Sequence, residues 1–155
     1  IHYNEVNIGL SASRNKGIKL SKGDLITFLD DDDVLLPNKI QEQVELFNVN
    51  KSVDVVYCGA MRKYKDYRVY KSPSLSGSIY PEVLRGCPGT VHSLMIKKKC
   101  FDEVGLFDER LEQFEDFDLW VRLSKKYKFD FKGTMIEFIP PLNLDNVMRR
   151  LNIDL

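Results

Sequence analysis

Four consecutive aspartates, Asp30 to Asp33, are the residues of this sequence best suited to chemistry. Neighbouring carboxylates repel one another, by about 1 kcal/mol per close pair even in bulk water, so a cation is expected beside them. If the chain stays extended past Leu29, Asp30 and Asp32 project to one side and offer oxygen ligands to a hard divalent ion. Mg²⁺ and Mn²⁺ accept such ligands and leave coordination positions for phosphate oxygens. The run therefore predicts a site for a divalent ion and a diphosphate.

The same run could instead be a solvated acidic turn before a helix, with Asp33 favoured by the positive end of the helix dipole. An EF-hand loop fits poorly, because Val34 to Pro37 stand where its glycine and the residues towards its terminal glutamate would be needed. The run directly follows the apolar segment from Leu25 to Leu29. This position after a predicted buried strand favours a functional site over a solvated turn.

A second acidic group, Glu115, Asp116 and Asp118, lies where a helix is predicted to begin. Acids are favoured there by the helix dipole whether or not they do chemistry, so the residues alone leave both interpretations open. Trp120 follows them in the same helix. Its spacing from neighbouring apolar residues favours a core position over stacking on a sugar.

Basic side chains could contact an anionic ligand at three places. Arg14 lies early in a predicted helix that faces the carboxyl edge of the sheet, where phosphate binding and a plain surface position are equally favoured. His92 follows a loop, and a lone histidine is more often a surface or hydrogen-bonded residue, so it ranks low as a functional residue. Lys97 to Lys99 could touch anionic lipid, although three lysines usually form a solvated edge.

Strands and helices alternate along the chain and must position these residues. A helix is predicted from an N-cap at Ser11 to near Gly23. Leu25 to Leu29 predicts a central strand covered on both faces, and a helix follows Pro37. The segment from Phe129 to Ile139 is predicted to be extended. This alternation indicates an α/β sheet with ligand sites beyond the carboxyl ends of its strands.

Composition excludes several classes of protein. The chain has 155 residues, of which 43% are hydrophobic, enough for one domain with its own core. Its 23 basic and 23 acidic residues cancel, which removes the positive surface expected of a nucleic-acid-binding protein. Cys58, Cys87 and Cys100 form neither a zinc signature nor a complete disulfide framework, which favours a reducing, cytoplasmic setting. The sequence lacks the pattern of a signal peptide.

Two groups of motifs carry a family pattern. The first contains NIGLSASRNKGI from Asn7 to Ile18, KGD from Lys22, and FLDDDD from Phe28 to Asp33. The second contains EVGLFDE from Glu103 and EDFDLWVRL from Glu115 to Leu123. In this order they resemble the family 2 glycosyltransferases, which have the GT-A fold. The resemblance implies an α/β, GT-A-like open mixed sheet flanked by helices.

The resemblance also implies an inverting transfer of a sugar from a nucleoside-diphosphate sugar, a UDP-sugar first of all, to an acceptor hydroxyl. The acceptor would be a sugar, a lipid-linked glycan or a protein, in the synthesis of cell-surface polysaccharide or glycoconjugate. Mg²⁺ or Mn²⁺ would be the cofactor. The implied roles are Asp116 as catalytic base beside Glu115, Asp32 and Asp30 as metal ligands with Asp32 the main one, and Arg14, Asp30 and Asp31 as contacts to the donor diphosphate.

The sequence begins with Ile1, after the first nucleoside-binding strands of the family. Residues 1–139 are therefore expected to form a partial catalytic domain and residues 140–155 a short helical tail. That tail lacks the Gln-x-x-Arg-Trp motif of processive synthases, which favours transfer of a single sugar. The protein is expected in the cytoplasm, with at most peripheral membrane contact. A catalytically inactive GT-A fragment, a nucleotide- and metal-binding module and a metal-dependent phosphoryl-transfer enzyme are the alternatives.

Overall fold

The computed structural model describes residues 2–30, 33–63, 68–71 and 74–139. The described helices and strands are α1 Leu10–Leu20, β1 Leu25–Thr27, α2 Lys39–Val49, β2 Val55–Lys63, β3 Arg68–Lys71, β4 Leu94–Lys97, α3 Cys100–Val104, α4 Glu115–Ser124 and β5 Phe129–Ile139. Two short 3₁₀ turns, Glu82–Arg85 and Val91–Ser93, precede β4. The predicted tail at 140–155 lies outside the described residues, so its helical character stays a prediction.

The strands form one mixed sheet around β2. Strand β5 runs parallel to β2 along one edge, from Val55↔Phe129 to Arg62↔Ile139. On the other edge, β4 pairs antiparallel with the start of β2 and β3 with its end. Strand β1 pairs antiparallel with β4, and Thr27 lies opposite Met95. The sheet is therefore open and contains both parallel and antiparallel pairs, as predicted.

Strand β1 corrects one prediction. Within the described residues it pairs with β4 alone, at the end of the strand order, and it is not central. It is also short, because the extended pairing stops at Thr27, and Leu29 is 53% exposed. An apolar run indicates that its residues favour a strand. The position of that strand in the sheet depends on pairing with segments far away in the sequence.

The start of α1 corrects another. Gly9 precedes the helix with φ of 85°, a left-handed conformation that glycine adopts without steric cost. Its amide donates to the Asn7 side chain at 2.9 Å, and the helix begins at Leu10. Ser11 therefore lies buried in the first turn and makes no capping hydrogen bond.

Both faces of the sheet are covered, because side chains alternate along each strand. Val55 and Tyr57 of β2 join the larger core cluster beneath α1, α3 and α4, while Val56 joins a smaller cluster with Phe47 of α2. Trp120 is fully buried, as predicted. Its ring stacks on Phe129 at 5.5 Å and meets Tyr57 edge-on at 5.3 Å. Among the described helices, none is long and apolar enough to cross a membrane.

Candidate active site

Polar side chains from four parts of the chain converge at one end of the sheet. They come from α1, from the loop after β1, from the 3₁₀ turn before β4 and from the first turn of α4. The pairing of β1 with β4 places the loop after β1 beside the turn that precedes β4, because the two strands are antiparallel. These side chains are Arg14, Asp30, Asp33, His92, Glu115 and Asp116.

Arg14 joins the two acidic groups that the sequence predicted. Its Nη2 donates to Asp30 Oδ1 at 2.9 Å, and its Nη1 donates to Glu115 Oε1 at 2.8 Å. The arginine side chain is only 8% exposed, and its guanidinium lies 5.5 Å from the centre of the Phe107 ring. A planar guanidinium can reach two carboxylates at once, which an ammonium group cannot do as well. The acidic loop and the start of α4 therefore share one buried cation.

Asp30 is ionised strongly. The contact with His92 and the hydrogen bond and charge of Arg14 lower the pKa of Asp30 from 3.8 to about 2, although partial burial acts in the opposite direction. Its carboxylate is thus negative at any physiological pH. Such a group suits a cation ligand and cannot serve as a general base near neutral pH.

Asp30, Asp33 and His92 form a cluster with metal-ligating chemistry. Nδ1 of His92 lies 3.0 Å from Asp33 Oδ2 and 3.7 Å from Asp30 Oδ2. One candidate ligand atom from each residue lies within 4.8 Å of the others. Two carboxylate oxygens and one imidazole nitrogen are an accepted donor set for a divalent ion, so the residues present fit the implied metal.

Sequence reasoning ranked His92 low, and no local signal would have raised it. Its position next to Asp33 depends on the pairing of β4 with β1, which links segments more than sixty residues apart. Asp31 and Asp32 lie outside the described residues. Their predicted roles in diphosphate and metal binding stay predictions.

The first turn of α4 holds the candidate base. Burial raises the pKa of Asp116 above its usual value of 3.8; the hydrogen bond from the Phe117 amide and the charge of Arg14 act in the opposite direction, and the adjacent negative charge of Glu115 adds to the increase. The amide of Phe117 donates to Asp116 Oδ1 at 2.7 Å. A helix N-terminus by itself would lower the pKa of a carboxyl group. Here desolvation outweighs it, in the direction that favours proton acceptance near neutral pH.

Asp118, in the same helix, has a structural contact instead. It accepts hydrogen bonds from Arg122, whose guanidinium also donates to the carbonyls of Val104 and Leu106. This pair anchors the segment after α3 to α4. The acids of α4 thus divide into one ion-paired with Arg14, one with a raised pKa, and one that supports the fold.

A cavity of about 380 Å³ opens next to Glu115. The first residues of α1 and the segment before α4 line it, and they are Ile8, Gly9, Leu10, Ser11, Ala12, Glu109, Leu111, Glu112 and Glu115. Three of these residues are glutamates, so the lining favours a hydroxyl-rich ligand over an anionic one. The site therefore borders a concave surface and does not lie on a flat one.

This sheet, with an acidic loop after β1 and a second acidic group at the start of α4, has the GT-A-like architecture that the motifs predicted. A solved structure of TarS 1–349 from S. aureus in complex with UDP superposes with a TM-score of 0.66 at 13% identity, over 94% of this chain and 46% of that one. Another crystal structure of TarS 1–349 from S. aureus gives a TM-score of 0.68 at 13% identity, over 88% of this chain and 42% of that one. Similarity at this level of identity concerns the fold.

The sequence model of glycosyl transferase family 2 matches residues 1–107, and the chain belongs to this family. An uncharacterized glycosyltransferase of Methanocaldococcus jannaschii is 30% identical over 160 residues, 96% of this chain and 52% of that protein. The amylovoran biosynthesis glycosyltransferase AmsB of Erwinia amylovora is 29% identical over 144 residues, 85% of this chain and 46% of AmsB. The chain thus spans about half the length of these curated relatives.

Proposed function

We propose that this chain carries the catalytic centre of a metal-dependent, inverting glycosyltransferase, which moves a sugar from a nucleoside-diphosphate sugar to an acceptor hydroxyl. The observation that supports this most is Arg14, which brings the acidic loop at Asp30 together with Glu115. Membership of glycosyl transferase family 2 indicates that the reaction is sugar transfer. The family match and the contacts of Arg14 together support a catalytic site over an ion-pair network that only stabilises the fold.

The donor is bound on the side of Asp30. Asp30 and Asp32 would be among the ligands of the divalent ion, which would neutralise charge on the leaving nucleoside diphosphate. Asp31 and Arg14 contact the donor diphosphate. Arg14 also keeps Asp30 and Glu115 at a fixed separation, so that the donor and the base do not drift apart. Mg²⁺ or Mn²⁺ suits this donor set.

The acceptor is activated on the side of α4. Asp116 takes the proton from the attacking hydroxyl, and its raised pKa suits that task. Glu115, fixed by Arg14, leaves its negative charge beside Asp116 and so favours proton uptake there. A single base on one side of the sugar, with the leaving group on the other, fits direct displacement with inversion.

UDP-sugars are the first donors to test, because the TarS structure with a similar fold is a complex with UDP. The name of AmsB supports an acceptor in polysaccharide or glycoconjugate synthesis. A cytoplasmic enzyme with a lipid-linked acceptor would need only peripheral contact with the membrane.

The test compares donor binding with transfer. Titration calorimetry of UDP with MnCl₂ measures binding, and a panel of nucleotide sugars measures turnover. Asp32→Asn should abolish metal-dependent donor binding. Asp116→Asn should retain binding and lower the turnover rate by about 10²–10⁴-fold, the usual contribution of a general base.

Asp102→Asn is the matched control, since it removes an exposed carboxylate of α3 and should leave both measurements unchanged. Normal turnover by Asp116→Asn would show that the base is elsewhere. A wild-type chain that binds no nucleotide would favour the inactive fragment. Release of free sugar phosphate in place of transferred sugar would favour phosphoryl transfer.

A further inference from the structure

His92 is fixed next to the acidic loop by the backbone around it. It lies in the 3₁₀ turn Val91–Ser93, where the Ser93 amide donates to the Thr90 carbonyl at 3.1 Å. The Ser93 carbonyl accepts a hydrogen bond from the buried Gln43 side chain at 2.9 Å. The His92 side chain is only 8% exposed. The turn therefore fixes the position of the His92 backbone, and burial restricts rotation of its ring.

The distances around His92 match the spacing of ligands on a metal ion. Ligand atoms about 2.1 Å from an octahedral ion lie about 3 Å apart when adjacent and about 4.2 Å apart when opposite. Nδ1 of His92 lies 3.0 Å from Asp33 Oδ2 and 3.7 Å from Asp30 Oδ2. The His92–Asp33 distance matches two adjacent positions of an octahedron, and the His92–Asp30 distance lies between the adjacent and the opposite value.

Within the described residues, the side chains of the cluster differ in their exposure to solvent. Arg14 binds Oδ1 of Asp30, so Oδ2 is the oxygen directed towards His92. The Asp33 side chain is 4% exposed, whereas that of Asp30 is 26% exposed. An ion held by all three residues would be most accessible to water or phosphate oxygens on the side of Asp30, the more exposed carboxylate.

From this geometry we propose that His92 Nδ1 is a metal ligand together with Asp30 and Asp33, and that it makes the site select transition-metal ions over Mg²⁺ and Ca²⁺. Mg²⁺ prefers oxygen ligands and loses its water reluctantly, whereas an imidazole nitrogen is a better ligand for transition metals. The inference rests on the metal dependence of the proposed function and specifies which ion the site prefers.

The competing explanation is that His92 only forms an ion pair with Asp33. Such a pair has the same distances, but His92 would then help any divalent ion equally or not at all. A nitrogen ligand, in contrast, is bonded directly to the metal and affects one class of ion. The two explanations differ in a spectroscopic signal and in metal selectivity.

The direct test is pulsed EPR on Mn²⁺ added as MnCl₂, with and without UDP, to the full chain prepared without a polyhistidine tag. We expect a ¹⁴N coupling from a bonded imidazole. The chain contains only two histidines, so His2→Gln, at an exposed position, is the matched control and should keep the signal. His92→Gln should lose it. Bound Mn²⁺ without ¹⁴N coupling would overturn the proposal, even if His92→Gln failed to fold.

Metal titrations provide the second readout. Loss of an outer-shell partner of a metal ligand already costs about 10- to 100-fold in affinity, so His92→Gln should weaken binding of Mn²⁺ and Co²⁺ by at least about 10-fold. Binding of Mg²⁺ should change much less. His92→Asp replaces the nitrogen with oxygen and should shift the preference towards Mg²⁺. An equal loss for all ions in His92→Gln contradicts the inference.

Sugar transfer is measured separately, so that the two proposals can fail independently. Mn²⁺ bound without nitrogen, together with active transfer, overturns only the role of His92. A chain that binds no Mn²⁺ under either condition overturns the role of His92 and the metal dependence together. Transfer in the presence of EDTA then decides whether a glycosyltransferase function remains.

Discussion

Arg14 and Glu115 are 101 residues apart in the sequence, and their side chains meet at 2.8 Å. The same guanidinium holds Asp30 at 2.9 Å, so one side chain connects the donor side of the proposed site to its base side. Both carboxylates lie largely away from solvent, and the guanidinium compensates part of the charge of each.

Arg14→Gln should destabilise the protein, since it leaves two partly buried carboxylates without their shared cation. Loss of one partner from a fully buried pair costs about 3–5 kcal/mol, and the remaining exposure of Asp30 reduces this to about 2 kcal/mol. Urea denaturation at pH 7 with EDTA measures the change in the free energy of unfolding. The free energy of unfolding of Arg14→Lys should lie between those of wild type and Arg14→Gln, because an ammonium group bridges two carboxylates less well than a guanidinium does.

Arg110→Gln is the control for that experiment. Arg110 also pairs with an aspartate, Asp108, but its side chain is 89% exposed. An exposed pair of this kind contributes less than about 1 kcal/mol. Equal decreases in the free energy of unfolding in Arg14→Gln and Arg110→Gln would mean that the buried ion pairs of Arg14 stabilise the fold no more than an exposed pair does.

Asp116→Asn should stabilise the protein at neutral pH while it removes activity. The folded-state pKa of Asp116 lies above the unfolded value near 3.8, so proton binding favours the folded state. That contribution is complete below pH 3.8 and is lost as pH rises through the folded pKa. Asparagine resembles the protonated acid, so the variant should match wild type at pH 3.5 and exceed its free energy of unfolding at pH 7.

Urea denaturation at the two pH values gives this difference directly. Asp102→Asn, at an exposed site of α3, should show none. If Asp116→Asn were less stable than wild type at pH 7, the ionised carboxylate would be supporting the fold, and burial would not be the dominant effect on its pKa.

Local pattern predicted the elements that depend on local sequence. Phe129 to Ile139 was predicted to be extended and is β5, and the spacing of Trp120 predicted its place in the core. Sheet order was not available, because β1 reaches its place through pairing with β4, a segment far along the chain. The position of His92 follows from the same pairing. The cap prediction at Ser11 was wrong because Gly9, two residues earlier, starts the helix with a positive φ and without a side-chain cap.

Gly89 should tolerate no larger side chain. A Cβ there would lie 2.4 Å from Ser93 Oγ and 3.2 Å from Cζ2 of Trp120. Ser93 Oγ donates to the Thr90 carbonyl at 2.7 Å, so its displacement would break a hydrogen bond as well. Gly89→Ala should therefore cost about 1–3 kcal/mol and shift the fluorescence of Trp120.

Gly17→Ala is the matched change, since nothing lies within 4 Å of its Cβ position in the middle of α1. It should raise the free energy of unfolding by about 0.5–1 kcal/mol, because alanine favours the helix. Thermal or urea denaturation measures the change in the free energy of unfolding in each of the two variants. A neutral Gly89→Ala would indicate that the turn before β4 can move, and would weaken the view that His92 is rigidly held.

Lys39 is fully buried at the start of α2, where its Nζ donates to Gln43 Oε1 at 3.0 Å and to Thr27 Oγ1 at 3.3 Å. Burial lowers the pKa of Lys39 below its usual 10.5. The neighbouring Cys58 has its thiol pKa raised to about 11 by burial, so it supplies no thiolate near neutral pH. Two neutral oxygens compensate a buried ammonium group poorly.

Lys39→Met should therefore be at least as stable as wild type at pH 7. Removal of the buried amine outweighs the loss of two hydrogen bonds to neutral groups, each of which contributes about 1 kcal/mol.

The difference in stability should depend on pH. Since the folded-state pKa of Lys39 is lowered, the unfolded chain binds more protons between that pKa and 10.5, and the free energy of unfolding of the wild type rises with pH over this range. The advantage of Lys39→Met should shrink from pH 7 to pH 9.5. Lys19→Met, at an exposed position of α1, should show no such trend in the same urea series. A constant difference between Lys39→Met and wild type across these pH values would mean that Lys39 keeps its ordinary pKa.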